Sequence, residues 1–113
     1  MKNKYFDEVT KLLTQAHPEL ATIYRLDFKN VFGAVCGYVD EHIFISYGKF
    51  GVALRLPLEI LNTLFQAKDV KHLKYFPNGH IKKEYAVIPK RILKDNREFR
   101  KLLDKSIKYV LSF

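Results

Sequence analysis

Four histidines and one cysteine are the residues of this chain whose types are typical of metal binding or nucleophilic catalysis. A helical zinc site needs two ligands at a spacing such as i and i+4, and a thiolate site usually has a second cysteine nearby. His17, His42, His72 and His80 show no such spacing, and Cys36 stands alone. We therefore predict no metal site, and structural roles for the histidines in turns, in strands or on the surface.

A catalytic thiol and a phosphate-binding loop are not predicted either. Cys36 lies in an apolar segment, where a free cysteine usually behaves as a small hydrophobic residue. Gly33 and Gly37 lead into strand-like residues, whereas a phosphate loop leads into a helix. These glycines are expected at a bulge, a bend or a close packing point. Asp40 and Glu41 fall at a predicted turn. We predict a protein that is not an enzyme, has no catalytic residues and needs no cofactor.

The pattern that does suggest a function is a row of basic residues near the C-terminus. If the chain from Pro89 onward is one helix, six cations fall within an arc of about 80°, opposite its apolar residues. They are Lys90, Lys94, Arg97, Lys101, Lys105 and Lys108. Such a row contacts the phosphates of a nucleic acid or an acidic protein, or it is simply the solvated face of a packed helix. Asp95 can split the row, and Lys82 and Lys83 can extend it, so both interpretations stay open.

Hydrophobic periodicity predicts the elements that position these residues. An apolar stripe predicts a first helix from Tyr5 to about His17, and Pro57 suits the start of a second helix that ends near Ala67. Between them the period changes to two, which predicts three or more strands, antiparallel because the turns that join them are short. These strands are residues 31–39, 42–47 and 50–56, with turns at Asp40-Glu41 and Gly48-Lys49.

The second half of the chain predicts a hairpin and a last helix. Residues 70–76 and 81–88 read as strands that flank Asn78-Gly79, a strong turn signal. Asp95, followed three residues later by Glu98, resembles a capping box before an apolar stripe. The predicted order is α-β-β-β-α-β-β-α. An antiparallel sheet with helices on one face makes a two-layer α+β domain.

Length and composition describe one folded domain, residues 1–113, with a core of its own. The chain is 48% hydrophobic and 14% aromatic, which excludes general disorder. A single cysteine excludes a disulfide scaffold and fits the cytoplasm. Asp7 and Glu8 interrupt the N-terminal start, so no signal peptide is predicted, and the longest apolar run is too short for a membrane span.

The net charge of +8 is placed unevenly along the chain. Residues 1–67 have seven basic and seven acidic residues, whereas residues 68–113 have thirteen basic and five acidic. The whole excess therefore lies in the C-terminal part. Such an asymmetry suggests an anionic partner, and it equally serves solubility.

A series of short motifs resembles the TfoX N-terminal domain family. In order they are Val31-Phe32-Gly33-Ala34-Val35-Cys36-Gly37-Tyr38-Val39-Asp40, Ile43-Phe44, Val52-Ala53-Leu54-Arg55-Leu56-Pro57, Tyr75-Phe76, Asn78-Gly79, Tyr85, Val87-Ile88-Pro89 and Ile92-Leu93. The resemblance covers about residues 31–113. It implies a bacterial cytoplasmic domain with a fold similar to that of secretion chaperones and no known catalytic residues. The best-known members of that family regulate transcription in natural competence.

Two hypotheses of function follow. The first is a non-enzymatic regulatory or adaptor domain of TfoX N-terminal type, which binds a protein or a nucleic acid through its basic C-terminal third. The second is a chaperone-like or housekeeping homodimer, which holds a peptide in its sheet or an apolar groove and has no nucleic-acid role. An enzyme assembled from sequence-distant residues is a third reading.

Overall fold

A six-stranded antiparallel sheet is the centre of the fold. The computed structural model describes residues 3–113. Its elements are α1 (Lys4–Ala16), α2 (Leu20–Ile23), β1 (Leu26–Val31), β2 (Ala34–Val39), β3 (His42–Gly48), β4 (Gly51–Arg55), α3 (Leu58–Leu64), β5 (Lys71–Leu73), β6 (Lys82–Ile88), α4 (Lys90–Leu93) and α5 (Asn96–Val110). The strands lie in the order β1-β2-β3-β4-β6-β5, and all neighbours are antiparallel. This confirms the predicted α+β class.

The predicted order was wrong at three elements. β1 is an additional strand, α2 is an additional single turn, and the last helical region is divided. The strand predicted over residues 31–39 begins instead at Ala34. Val31 already ends β1, and Phe32 and Gly33 form the turn between β1 and β2 with φ of +51° and +82°. The observed order is therefore α-α-β-β-β-β-α-β-β-α-α.

The single helix considered from Pro89 onward was also wrong. α4 is one turn long, and the chain is extended at Asp95, with φ of −99° and ψ of 97°. The Asp95 carboxylate accepts hydrogen bonds from the backbone N–H groups of Arg97 (3.1 Å) and Glu98 (3.2 Å). An aspartate N-cap satisfies the free N–H groups at a helix start. Asp95 thus starts a new helix, as the capping signal predicted.

The predicted turns are present, two of them with altered bounds. Asp40 and Glu41, at φ of +45° and +75°, join β2 to β3 as a two-residue turn. The next turn consists of Lys49 and Phe50, one residue later than predicted, because Gly48 and Gly51 pair across it. The predicted Asn78-Gly79 hairpin turn was wrong in position, because the N–H group of Gly79 donates to the carbonyl of Phe76 (2.9 Å), which puts Pro77 and Asn78 at the centre of the turn. This turn lies inside the longer connection of residues 74–81, since the strand predicted over residues 70–76 is only Lys71–Leu73.

All the main helices cover one face of the sheet. The buried cluster on that face combines strand residues such as Val35, Ile45 and Leu54 with residues of α1, α3 and α4. α5 contributes four of its members, which are Phe99, Leu103, Ile107 and Val110. Their spacing of three to four residues places them on one side of the helix. The predicted arrangement of helices on one face is confirmed.

Gly37 is a close packing point of this face, as predicted. It lies directly opposite Ile45 in the pairing of β2 and β3. A Cβ atom at residue 37 would lie 2.6 Å from Cγ2 of Ile45 and 3.2 Å from the ring of Phe28. Any larger residue therefore needs the neighbours to move.

Ser106 is a polar residue within the apolar side of α5. Its Oγ lies 3.1 Å from the carbonyl oxygen of Phe44 and 2.6 Å from that of Arg55. Phe44 has no partner residue in β2, because the register between β2 and β3 shifts there. The hydroxyl donates to these carbonyls, and it therefore fixes α5 over β3 and β4.

Candidate functional site

The six predicted basic residues are all exposed, and four of them share a face. Arg97, Lys101, Lys105 and Lys108 lie on the outward side of α5 at spacings of four, four and three residues. We call this the α5 row. Lys90 begins the separate helix α4 and Lys94 follows it, so neither continues the α5 row.

Carboxylates flank the α5 row on both sides. At 100° per residue, Asp104 lies about 20° outside the arc of the cations, next to the edge that Arg97 marks. One of its oxygens lies 3.1 Å from Nε2 of His17. Glu98 lies 3.5 Å from Nζ of Lys101. The α5 row therefore has a smaller positive excess than a count of its cations predicts.

Arg91 and Arg55 are two of the arginines that form ion pairs within the protein. Arg91 donates two hydrogen bonds to the Asp69 carboxylate, at 2.6 and 2.9 Å, and these hold the pKa of Asp69 below its usual value. Glu84 accepts hydrogen bonds from the hydroxyl of Tyr109 (2.6 Å) and from Arg55 (3.3 Å). The Tyr109 hydrogen bond is the main cause that lowers the pKa of Glu84, and Arg55 adds to it. Arg91 and Arg55 thus connect neighbouring segments of this chain.

The Glu84 interaction predicts a pH-dependent contribution to stability. A carboxylate whose pKa is lower in the folded state stabilises the fold above its unfolded pKa, near 4.5, and this contribution is lost as the pH falls through the folded pKa. Glu84→Gln should lower the free energy of unfolding at pH 7 by less than about 1 kcal/mol, because the pair is partly exposed.

Urea denaturation between about pH 3 and pH 7 measures this difference. The gap between the wild type and Glu84→Gln should close below about pH 4.5. Glu41→Gln, at the exposed turn between β2 and β3, is the control. A gap for Glu84→Gln that stays constant over the whole range would contradict the assignment.

The opposite face of the sheet is covered by a loop. Tyr47 of β3 packs on Tyr5 of α1, with ring centroids 5.3 Å apart. Its neighbour Ser46 points to the other face, because side chains alternate along a strand. There the hydroxyls of Ser46 and Tyr75 are 2.9 Å apart. The connection of residues 74–81 therefore folds over the face that the helices leave open.

Tyr75 is the centre of a ring cluster at this face. Phe32 and Phe50 meet its ring with centroids 5.8 and 5.5 Å apart, and Phe76 lies 5.5 Å from Phe32. The contacts are edge-to-face, the favoured arrangement of aromatic pairs. With Lys49, Pro77 and the adjoining backbone, these rings line a cleft of about 340 Å³. We call it the aromatic cleft.

The aromatic cleft has exposed rings, and a buried hydrogen bond anchors one of its other rings, Tyr75. Phe32 is 67% exposed and Phe76 is 54% exposed, whereas Ser46 below them is fully buried. Burial raises the pKa of the Tyr75 hydroxyl, so this group keeps its proton and remains able to donate. Accessible ring surfaces thus lie next to a tyrosine that a buried hydrogen bond holds in place.

Two lysines lie at the aromatic cleft, Lys49 in its lining and Lys82 beside the Tyr75 ring. The segments that build it, residues 29–34, 46–51 and 74–83, have five lysines and no Asp or Glu. Nζ of Lys82 lies 5.9 Å from the centre of the Tyr75 ring. Of the two lysines considered as an extension of the basic row, Lys82 does not extend it, because it lies across the sheet from α5.

The histidines and the cysteine have mainly structural surroundings. His17 is buried between Glu19 (3.3 Å) and Asp104 (3.1 Å), and His72 stacks on the ring of Phe65. Cys36 is buried beneath Tyr75, with its Sγ atom 3.4 Å from Oγ of Ser46. Among residues 3–113, no group of three or more His, Cys, Asp or Glu side chains is placed to hold a metal ion.

Sequence reasoning missed the aromatic cleft because its rings are far apart in the chain. A signal was present nevertheless. Phe32 precedes Gly33 in a turn, and Phe50 lies between Gly48 and Gly51 in another. Turn positions favour small polar residues, so a phenylalanine at each of two turns is unusual. Only the pairing of the strands brings both turns beside Tyr75.

No family model, no curated protein and no solved structure matches the chain. Membership of the TfoX N-terminal domain family therefore stays a prediction from the order of the short motifs in the sequence. Within the part of the chain that the structure describes, no helix has the length and apolar character needed to cross a membrane.

Proposed function

We propose that the protein is a non-enzymatic regulatory or adaptor domain of TfoX N-terminal type that binds an anionic macromolecule on the α5 row. The observation that carries this proposal is the alignment of Arg97, Lys101, Lys105 and Lys108 on the outward side of one helix. The order of the motifs supports the family, and a link to transcriptional regulation of competence comes from that resemblance.

The α5 row is held in a rigid position. Four buried side chains of α5 pack on the sheet, and Ser106 fixes the helix over β3 and β4. Along a helix the distance from Arg97 to Lys108 is about 16 Å. This equals the rise of about five base pairs of duplex DNA, so the cations are able to contact several phosphates at once.

Charge reversal of the α5 row tests the proposal. We expect Lys101→Glu with Lys105→Glu and Lys108→Glu to weaken binding to a generic DNA duplex at least about tenfold at about 50 mM salt. The slope of log affinity against log salt should also fall by up to about 2.7, if each lysine contacts one phosphate. Fluorescence anisotropy over about 50–200 mM salt measures both quantities.

The matched control reverses Lys29, Lys49 and Lys82, which gives the same change of net charge on the opposite face. Duplex binding should be affected far less by this control than by reversal of the α5 row. If the control abolishes duplex binding and the α5 variant does not, the surface assignment is wrong. If neither variant nor the wild type binds duplex DNA, an acidic protein remains the partner to test.

A second candidate function is the peptide-binding homodimer, and the edge of the sheet favours it. Among residues 3–113, β1 pairs with β2 alone, so this six-residue strand is an edge of the described sheet that another strand can join. Light scattering distinguishes the two proposals. A dimer that is insensitive to salt supports this second candidate, whereas a monomer with salt-sensitive binding supports the first.

A further inference from the structure

Phe32 occupies a backbone position that phenylalanine disfavours. Its φ is +51°, and the following Gly33 has φ of +82°. Two positive φ values in a two-residue hairpin define a type I′ turn, in which Asn-Gly is the favoured pair. A bulky side chain at such a position is an outlier that calls for a reason outside local stability. The Phe32 ring is also 67% exposed, so burial does not supply that reason.

The rings of Phe32 and Phe76 form an open platform. Their centroids are 5.5 Å apart at an angle of 62°, and Tyr75 supports Phe32 from below at 5.8 Å. Tyr75 is in turn fixed by the Ser46 hydroxyl. The platform is therefore positioned by a buried contact while its outer surfaces stay accessible. Accessible aromatic rings bind nucleic-acid bases of any sequence by stacking.

The charge around this platform fits a phosphate backbone. Five lysines and no carboxylate occur in the three segments that build the aromatic cleft. Lys49 lines the cleft and Lys82 lies over the Tyr75 ring, so cations stand beside the stacking surfaces. Stacking rings next to a cationic groove are the two components of sequence-tolerant single-strand binding.

We propose that the aromatic cleft binds a single-stranded nucleic acid, with bases stacked on Phe32 and Phe76 and phosphates beside Lys49 and Lys82. A duplex does not present free base faces, so it lacks the groups that the platform recognises. The site is separate from the α5 row, because the cleft and α5 lie on opposite faces of the sheet. An experiment can therefore disprove one of the two binding sites and leave the other unaffected.

Binding of a labelled oligothymidine of about 12 nucleotides tests this proposal. We expect binding at about 50 mM salt that weakens as salt rises, with a preference over a duplex of the same length. Phe76→Ala should weaken it about 5- to 150-fold, the range found for the loss of one stacked base. Because the chain has no Trp, quenching of tyrosine fluorescence gives a second readout that includes Tyr75.

Phe32→Asn separates a binding role from a structural one. Asparagine is favoured at this turn position, so the variant should melt at the same temperature as the wild type or higher. It removes the ring, so oligothymidine binding should fall by a factor similar to that of Phe76→Ala. Phe113→Ala is the matched control, because it removes an exposed ring that lies after the end of α5. This variant should bind as the wild type does.

The lysines have their own test. Lys49→Gln with Lys82→Gln should lower the salt slope of single-strand binding by about 1.4, if each contacts one phosphate. The proposal is overturned if oligothymidine does not bind at about 50 mM salt, or if Phe32→Asn and Phe76→Ala bind it as tightly as the wild type. It is also overturned if reversal of the α5 row alone removes the binding. An acidic peptide that binds the cleft where the oligothymidine does not would identify a protein partner instead.

Discussion

Replacement of Phe99 by alanine is expected to lower the free energy of unfolding by about 3–5 kcal/mol. Phe99 is fully buried in the first turn of α5, where it packs in the cluster between the helices and the sheet. Truncation removes apolar contacts and leaves a cavity that the surrounding strands fill only in part. For a domain of about 5–15 kcal/mol total stability, this loss is a large fraction.

Urea denaturation at neutral pH measures the Phe99 effect, and the m-value should stay unchanged. The melting temperature should fall by more than about 10 °C. Phe113→Ala is again the control, since an exposed ring should change stability by less than about 1 kcal/mol. If Phe99→Ala has an equally small effect, α5 does not pack on the sheet as described.

Gly37→Ala is expected to destabilise the protein by about 1–3 kcal/mol. The direction of this stability change is informative, because alanine in a strand is otherwise more favourable than glycine by about 0.5–1 kcal/mol. The new Cβ would lie 2.6 Å from Cγ2 of Ile45, which is packed in the core and cannot move freely. Steric conflict thus outweighs the backbone preference.

A double-mutant cycle identifies the cause of the Gly37 effect. Ile45→Ala removes Cγ2 and is itself destabilising by about 2–5 kcal/mol. In that background Gly37→Ala should have almost no effect or should be slightly stabilising, which corresponds to a coupling energy of about 1–3 kcal/mol. Additive effects of the two substitutions would show that the contact with Ile45 is not the reason for glycine at residue 37.

The parts of the fold that sequence predicted are those encoded by local signals. Alternation over β2, β3 and β4, the two-residue turns and the Asp95 cap each depend on neighbouring residues, and each is present. β1 was missed because an edge strand buries one side only. Leu26 and Phe28 are half-buried on that side, while Lys29 and Asn30 are exposed, and this weakens the apolar pattern.

The candidate sites also divide into contacts that local spacing predicts and contacts that it does not predict. Helical spacing alone places the four cations of the α5 row on one side of the helix. The sequence therefore predicts them as neighbours. Sequence did not find the interaction of Asp104 with His17, which joins residues 87 positions apart, nor the contact of Phe32 with Tyr75. These depend on which strands pair and on which face a loop crosses. No local period in the chain encodes either property.

The strand order also has a consequence for synthesis on the ribosome. β1 to β4 follow one another in the chain as they do in the sheet, so they pair as soon as they are made. The helix that covers them, α5, follows about 40 residues later, a delay of about 2–8 seconds at ordinary elongation rates. During this interval α1 and α3 are available to cover the apolar side of the meander, but the four buried side chains of α5 are still missing. We therefore expect the packing of this face to be completed only when the last helix has been made.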